Sequence, residues 1–504
     1  MISRRLGKKI LALCATAALG SACTVGPDFQ RPQTSASAGY SLSAPRTDAA
    51  PAVTFGSDVA NNWYQLFRSD ALNGLVRQAL EANPDLEAAR HGLVAAQREL
   101  QAVSGTALPQ IDATGNIGRQ HINGSFLLEP VNGLDATGNR FALGPSMAYD
   151  LDVFGGIRRS IEAQGAAASN VRDQTLNTYI TLVDQVVEAA FNFASTEAQI
   201  KTTEDLIADL RDQYNLTQTL ENAGKITRSD TYQAKTQLAN TEATLPGLEQ
   251  QRDVYRNALA QLCGRTPDEF VMPAVSLRDF AIPRQVPVSV PSDLVRHRPD
   301  ILAAEDLLHE ASARIGVATA ARLPSFSISG QYAQQTTFAG EFFKAAGGVW
   351  SFGPQMAAPI FQGGTLAARQ KEAREQYLQA ASTYRSTVLA AFVEVANTLR
   401  ALEHDGDSYL AHNRALEAAR QNRDLANAQY RAGRYTELQV LTAEQQYQDA
   451  VLSQVHADAQ RFTDIAGLFH ALGGGWWNAS EDPSLQPVAS TQSVPIAPRK
   501  AVVR

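Results

Sequence analysis

The sequence predicts a mixed α/β membrane protein made of two related halves, each with two membrane-length strands and a hairpin of very long helices. Three observations predict it. A set of short motifs recurs once, in the same order, far downstream. Four segments alternate with period two. The stretches between them run at helical spacing for tens of residues with almost no proline.

The duplication is legible residue by residue. Asn83-Pro84-Asp85-Leu86 returns as Arg298-Pro299-Asp300-Ile301, and Leu108-Pro109 as Leu323-Pro324, both 215 residues on. Gly144-Pro145 returns as Gly353-Pro354, Gly155-Gly156 as Gly363-Gly364, and Ala223-Gly224-Lys225 as Ala432-Gly433-Arg434, at offsets of 209, 208 and 209. The change of offset marks an insertion between Leu108 and Gly144. A repeat this long means two homologous halves of one body.

The chain opens with Arg4, Arg5, Lys8 and Lys9, an apolar run from Ile10 to Leu19, and Gly20-Ser21-Ala22-Cys23. This pattern predicts a signal peptide over 1–22, too short to span a membrane. The site ending in Cys23 resembles a bacterial lipobox, which implies acylation of that thiol and an outer-membrane lipid anchor. One acyl chain anchors weakly, so a second membrane element is expected. Loss of the signal takes the net charge from −7 to −11, which disfavours nucleic acid as a partner. Cys263 is then left without an intramolecular partner. Residues 23–61, rich in Pro, Ser, Ala and Thr, read as a lipidated tether.

Periodic structure begins near Trp63. Pro84 is placed to start a helix afresh. Phe141, Leu143, Pro145, Met147, Tyr149, Leu151 and Val153 alternate with polar or small residues, and Phe326, Ile328, Gly330 and Tyr332 repeat that pattern. Strand pairs are predicted at 109–122 with 139–154, and at 324–338 with 348–361. From Ile157 to Asn222 there is no proline, and Leu176, Ile180, Val183, Val187, Ala190 and Ala194 fall at spacings of three and four. Such a helix spans about 100 Å. Gly224 ends it, and a return helix is predicted over 227–262 with a kink or distortion at Pro246. The second half repeats this over 365–432, turns at Gly433, and returns over 436–472, with Val455 in place of Pro246. The first repeat is set at 62–272, the second at 273–477, and a flexible tail at 478–504.

Four strands cannot close a sheet in lipid, and membrane sheets must leave no unpaired edge. The chain therefore has to pool strands with copies of itself. Two copies and three both remain open from pattern alone.

Leu294-Val295-Arg296-His297-Arg298-Pro299-Asp300-Ile301, Leu323-Pro324-Ser325-Phe326, Tyr430-Arg431-Ala432-Gly433 and the terminal Ala471-Leu472-Gly473-Gly474-Gly475-Trp476-Trp477 resemble the outer-membrane factor family, the lipoprotein channels of tripartite efflux systems, of the NodT and OprM type within the TolC-like superfamily. The resemblance covers Cys23 to Trp477. It implies a homotrimer, with four strands from each chain forming a twelve-stranded barrel and the long helices a periplasmic tunnel. It also implies an inner-membrane pump of the resistance-nodulation-division type and a periplasmic adaptor as partners, and multidrug efflux as the process served.

By the same resemblance the Gly224 and Gly433 turns form the periplasmic tip. Candidate gate residues there are Gly224, Lys225, Arg228, Asp230, Gly433, Arg434, Tyr435, Glu437 and Gln439. Family acids often stand six and nine residues past the turn glycine; the second half has Gln439 and Thr442 there. A threefold ring of Asp230 or Glu437 would favour cations; the competing reading is a solvated charge beside a turn. Gly155, Gly156, Gly363 and Gly364 mark strand-to-helix passages and lack the lysine and spacing of a phosphate loop. His297 with Asp300 could be mistaken for a catalytic pair, but Asp300 after Pro299 suits a helix N-terminus. No metal motif, cofactor motif or catalytic constellation is present. Two other readings stand beside the channel: a lipid-anchored periplasmic coiled-coil scaffold, and an outer-membrane duct for a different export system.

Overall fold

The computed structural model describes residues 24–32, 51–57, 59–123, 135–289, 291–336 and 347–478, together with Phe338, Gly340, Phe342 and Lys344. Cys23, the signal segment and the C-terminal tail lie outside the described residues. In chain order the elements are β1 (Ala52–Phe55), a 3-10 turn (Trp63–Phe67), α1 (Asp70–Ala82), α2 (Pro84–Gly105), β2 (Gln110–Asn123), β3 (Asp135–Asp150), α3 (Gly156–Asn222), α4 (Arg228–Glu242) and α5 (Leu245–Leu262). There follow β4 (Gln285–Val288), α6 (Pro291–His297), α7 (Pro299–Ala320), β5 (Ser325–Thr336), β6 (Gly348–Ala357), α8 (Thr365–Arg431) and α9 (Glu437–Ala471). The chain divides into two compact units, each drawing segments from both sequence halves.

The first unit holds a four-stranded antiparallel sheet in the order β2-β3-β5-β6. Its register sorts the side chains. Ile111 faces Met147 and Ile117 faces Phe141; Met147 in turn faces Gly330 and Tyr149 faces Ile328; Gly330 faces Phe352 and Tyr332 faces Trp350. Cross-strand partners share a face, so these residues form one continuous apolar surface. Alternate positions form the other face, where Asp112 meets Ser146, Ser146 meets Gln331, and Gln331 meets Ser351. The apolar face is open: Trp350 is 74 % exposed and Phe352 67 %. Among the described residues β2 and β6 pair on one side only, so both edges of the sheet carry unsatisfied backbone groups.

The second unit is helical around an aromatic core. Trp63 stacks on Phe469 at 5.1 Å, Phe67 meets Phe191 edge-on at 4.8 Å, and Phe191 meets Phe280 in the same way at 4.8 Å. These rings tie the 3-10 turn to α3 and α9. Two parallel ties recur at equivalent positions: Asn83 Nδ2 donates to Leu262 O at 3.0 Å, and Arg298 Nη1 donates to Ala471 O at 2.7 Å. The residue before each helix-starting proline thus holds the end of the returning helix. Arg298 also grips Asp300 through two bonds, 3.0 and 2.7 Å. His297 stacks on Trp477 instead, with centroids 4.3 Å apart.

Both α3 and α8 contain 67 residues. No helix among the described residues is long and apolar enough to cross a membrane. The returning helix of the first half carries the distortion expected at Pro246: α4 ends at Glu242 and α5 restarts at Leu245 with Pro246 in its first turn, while Ala243 and Thr244 between them keep right-handed helical dihedrals. Proline lacks the N–H that would bond one turn back, and its ring opposes that carbonyl, so the ladder is interrupted. With Val455 at the equivalent place, α9 runs unbroken. The parallel pair β1 and β4, joined from Ala52↔Gln285 to Phe55↔Val288, departs from expectation, since the first strand lies within the tether.

Candidate functional site: the paired helical turns

Each long helix ends in the same way. Gly224 has φ +66°, Gly224 N donates to Glu221 O at 2.8 Å, and Lys225 N donates to Leu220 O at 2.9 Å. Gly433 has φ +69°, with Gly433 N to Tyr430 O at 2.8 Å and Arg434 N to Gln429 O at 2.9 Å. Both are Schellman closures, in which a left-handed residue lets two N–H groups satisfy orphan carbonyls. Only glycine takes that conformation without strain.

The next helix starts alike in both halves. Thr227 N donates to Asp230 Oδ2 at 2.9 Å, and Thr436 N donates to Gln439 Oε1 at 2.8 Å. Each is a capping box. Asp230 and Gln439, which differ in charge, therefore do the same structural task. Replacing either by Ala is expected to lower thermal stability by about 1 kcal/mol or less, with cation selectivity unchanged. A calorimetric scan paired with reversal-potential measurements checks both halves of that expectation; a selectivity change on Asp230→Ala would restore the charged-ring reading.

The other tip candidates separate by burial. Lys225, Arg228, Arg434 and Gln439 are exposed, and Tyr435 is 37 % exposed. Glu437 is buried, at 4 %. Gln213 on α3 donates to Glu437 Oε1 at 2.7 Å, Glu437 Oε2 is buried without a hydrogen-bond partner among the described residues, and the Tyr430 hydroxyl at the end of α8 lies close to the same carboxylate. Burial, then the Glu437 carboxylate beside it and the nearby Asp230 charge, push the Tyr430 hydroxyl well above its usual value. Gln213 of α3, Tyr430 of α8 and Glu437 of α9 thus meet in one polar knot, with the Asp230 charge nearby. Beside it a groove of about 640 Å³ runs between α4 and α9, lined by Arg228, Tyr232, Gln233, Leu438, Leu441 and Thr442. Tyr232 and Leu438 are more than half exposed there.

The strand-to-helix glycines also sort. Gly155, Gly363 and Gly364 have φ of +77°, +58° and +84°. Gly156 begins α3, and a Cβ there would stand 3.0 Å from that of Ala320. Asp152, unremarked by pattern, caps α3 by accepting from Ile157 N at 2.8 Å and Arg158 N at 3.0 Å.

Farther along α8 and α9, Asp405 is hydrogen-bonded to Asp464. Burial first, then that bond and the neighbouring charge, push Asp405 up to about 8, with Arg461 opposing. The folded pair retains a proton that the unfolded chain releases, so its contribution weakens as pH rises from about 4 to about 8. Asp405→Asn should remove that slope: melting temperatures of variant and wild type converge in acid, and the variant is the more stable at pH 9. Parallel slopes across that range would refute the shared proton. Cys263 is fully buried, its thiol within 3.7 Å of Leu75 O, and burial pushes it up to about 11. It sits in the core as a small hydrophobe.

Relatives agree with this geometry. The chain is 29 % identical over 490 residues to the toluene efflux pump outer membrane protein TtgC of Pseudomonas putida, covering 96 % of this chain and 99 % of the relative. It is 27 % identical over 473 residues to the cation efflux system protein CusC of Escherichia coli O157:H7, covering 93 % and 99 %. The solved outer-membrane channel OprN superimposes with a TM-score of 0.82 at 29 % identity, over 90 % of this chain and all of that one. The family model for outer membrane efflux proteins matches twice, over residues 75–265 and 290–474. The chain belongs to the outer membrane efflux protein family.

Proposed function

We propose that the chain is the outer-membrane exit duct of a tripartite efflux pump, passive in itself and driven by an inner-membrane pump of the resistance-nodulation-division type through a periplasmic adaptor. The observation that carries this reading is the sheet: one face apolar and exposed, the other polar, both edges unpaired. A lipid-anchored scaffold would cover that apolar face with its own helices. A duct exposes it to lipid and turns the polar face to water. Three copies would join β2 to β6 between neighbours and close twelve strands, with two repeats per copy, 62–272 and 273–477, acting as quasi-equivalent units.

The helices extend into the periplasm, and the polar knot around Glu437 latches the two helical hairpins of one protomer. The groove beside it, apolar at Tyr232 and Leu438 and fringed by Arg228 and Gln233, suits the end of an adaptor hairpin. Cys23 carries the lipid anchor. Relatives named for toluene and for cations have nearly the same identity to this chain, which supports a duct whose cargo is selected by the pump. Deletion of the gene tests the reading: sensitivity to drugs, dyes, detergents or metals should rise and be restored by the wild-type chain. Unchanged susceptibility across all four classes would count against efflux.

A further inference from the structure

Residues 24–32 are built into the first unit at a specific place. Val25 N donates to Phe154 O at 3.1 Å, where β3 passes into α3, and a Cβ on Gly155 would meet Thr24 Cγ2 at 2.7 Å. Arg159, in the first turn of α3, has a side chain only 5 % exposed. Its Nε donates to Val25 O at 3.2 Å, and its Nη2 to Gly26 O at 3.4 Å and to Asp28 Oδ1 at 2.6 Å; Nη1 donates to Glu162 Oε2 at 2.7 Å. The opposite wall is α7. Gly26, at φ +96°, crosses Gly316 so closely that an added Cβ would fall 2.4 Å from Gly316 Cα. Phe29 stacks on His309 at 4.4 Å, His309 Nε2 lies 3.0 Å from Glu162 Oε1, and Arg31 Nε donates to buried Glu305 at 2.6 Å.

A guanidinium buried against backbone carbonyls is costly unless those carbonyls stay in place. Arg159 is therefore a socket for this segment, and its planar fork matches several acceptors at once. Past the equivalent Gly364 the chain reads Leu366, Ala367, Ala368, so the second half has no such arginine.

We propose that residues 24–32 form a clasp that ties this N-terminal segment to the foot of the sheet and pins α3 of the first half against α7 of the second. The clasp depends on contacts within one protomer and stands whether or not the assembly conducts.

Hydrogen exchange of the full-length, membrane-extracted protein, followed on peptides spanning residues 24–32, tests this. Gly316→Ala improves the intrinsic helix preference of α7. It also places a methyl 2.7 Å from Arg159 Cγ and 2.9 Å from Val25 O. It should speed exchange of the segment on the order of tenfold or more, as should Arg159→Gln. Asp28→Asn, at a side chain 89 % exposed, should change it by less than about threefold. Recovery of each variant as a membrane-extracted oligomer is the folding control; if Arg159→Gln yields none, Gly316→Ala decides alone. A wild-type segment exchanging like free peptide, or an unchanged rate in Gly316→Ala, overturns the clasp.

Discussion

Phe352→Arg is expected to abolish the assembled outer-membrane oligomer, whereas Ser351→Arg, one residue away in the same strand, is expected to leave it assembled. Phe352 pairs with Gly330 on the apolar face and Ser351 pairs with Gln331 on the polar one. An arginine at the lipid-facing midpoint of a membrane strand costs about 2–4 kcal/mol per copy, a penalty that every copy in the proposed assembly would add. On the water-filled side the same side chain is hydrated and adds only positive charge. The readout is the heat-modifiable oligomer on gels of outer-membrane extracts, with conductance measured for Ser351→Arg. Equal assembly of both variants would mean that the sheet does not meet lipid in this orientation.

Glu437→Ala is expected to shift the channel toward its open state. The buried Glu437 carboxylate accepts from half-buried Gln213 of α3 and lies beside half-buried Tyr430 at the end of α8. A buried hydrogen bond to a charged acceptor contributes about 1.5–3 kcal/mol, so losing it should change the open-to-closed ratio by about tenfold or more. Single-channel recordings should show longer open dwell times. Gln213→Ala should shift the ratio the same way. Dwell times unchanged in both variants would remove the latch from the gating argument.

Much of this fold is visible in the chain because its elements are long. A 67-residue helix carries so many apolar positions at one spacing that its ends stand out, and Gly224 and Gly433 mark those ends chemically. The strands were legible for the same reason, since alternation over ten or more residues is hard to mistake. Short elements were not. The four residues Ala52–Phe55 hold too few alternations to signal a strand, and their partner Gln285–Val288 is more than 200 residues away.

The tip was legible in place and only partly in role. Thr-x-x-Asp at 227–230 and Thr-x-x-Gln at 436–439 are capping-box signatures that could have assigned Asp230 and Gln439 at once. The burial of Glu437 could not have been found that way. It depends on Gln213, 224 residues earlier, and no local pattern reports a contact of that range. Pro246 was legible: proline announces a disturbance, and the first returning helix is interrupted just before it while α9 is not.

Planar-bilayer recording of the purified, lipid-bearing oligomer tests most directly whether this chain is a duct. Discrete unitary steps are expected in salt solution without nucleotide or partner protein, with longer openings for Glu437→Ala. A stable oligomer that stays electrically silent in both wild type and Glu437→Ala would contradict it.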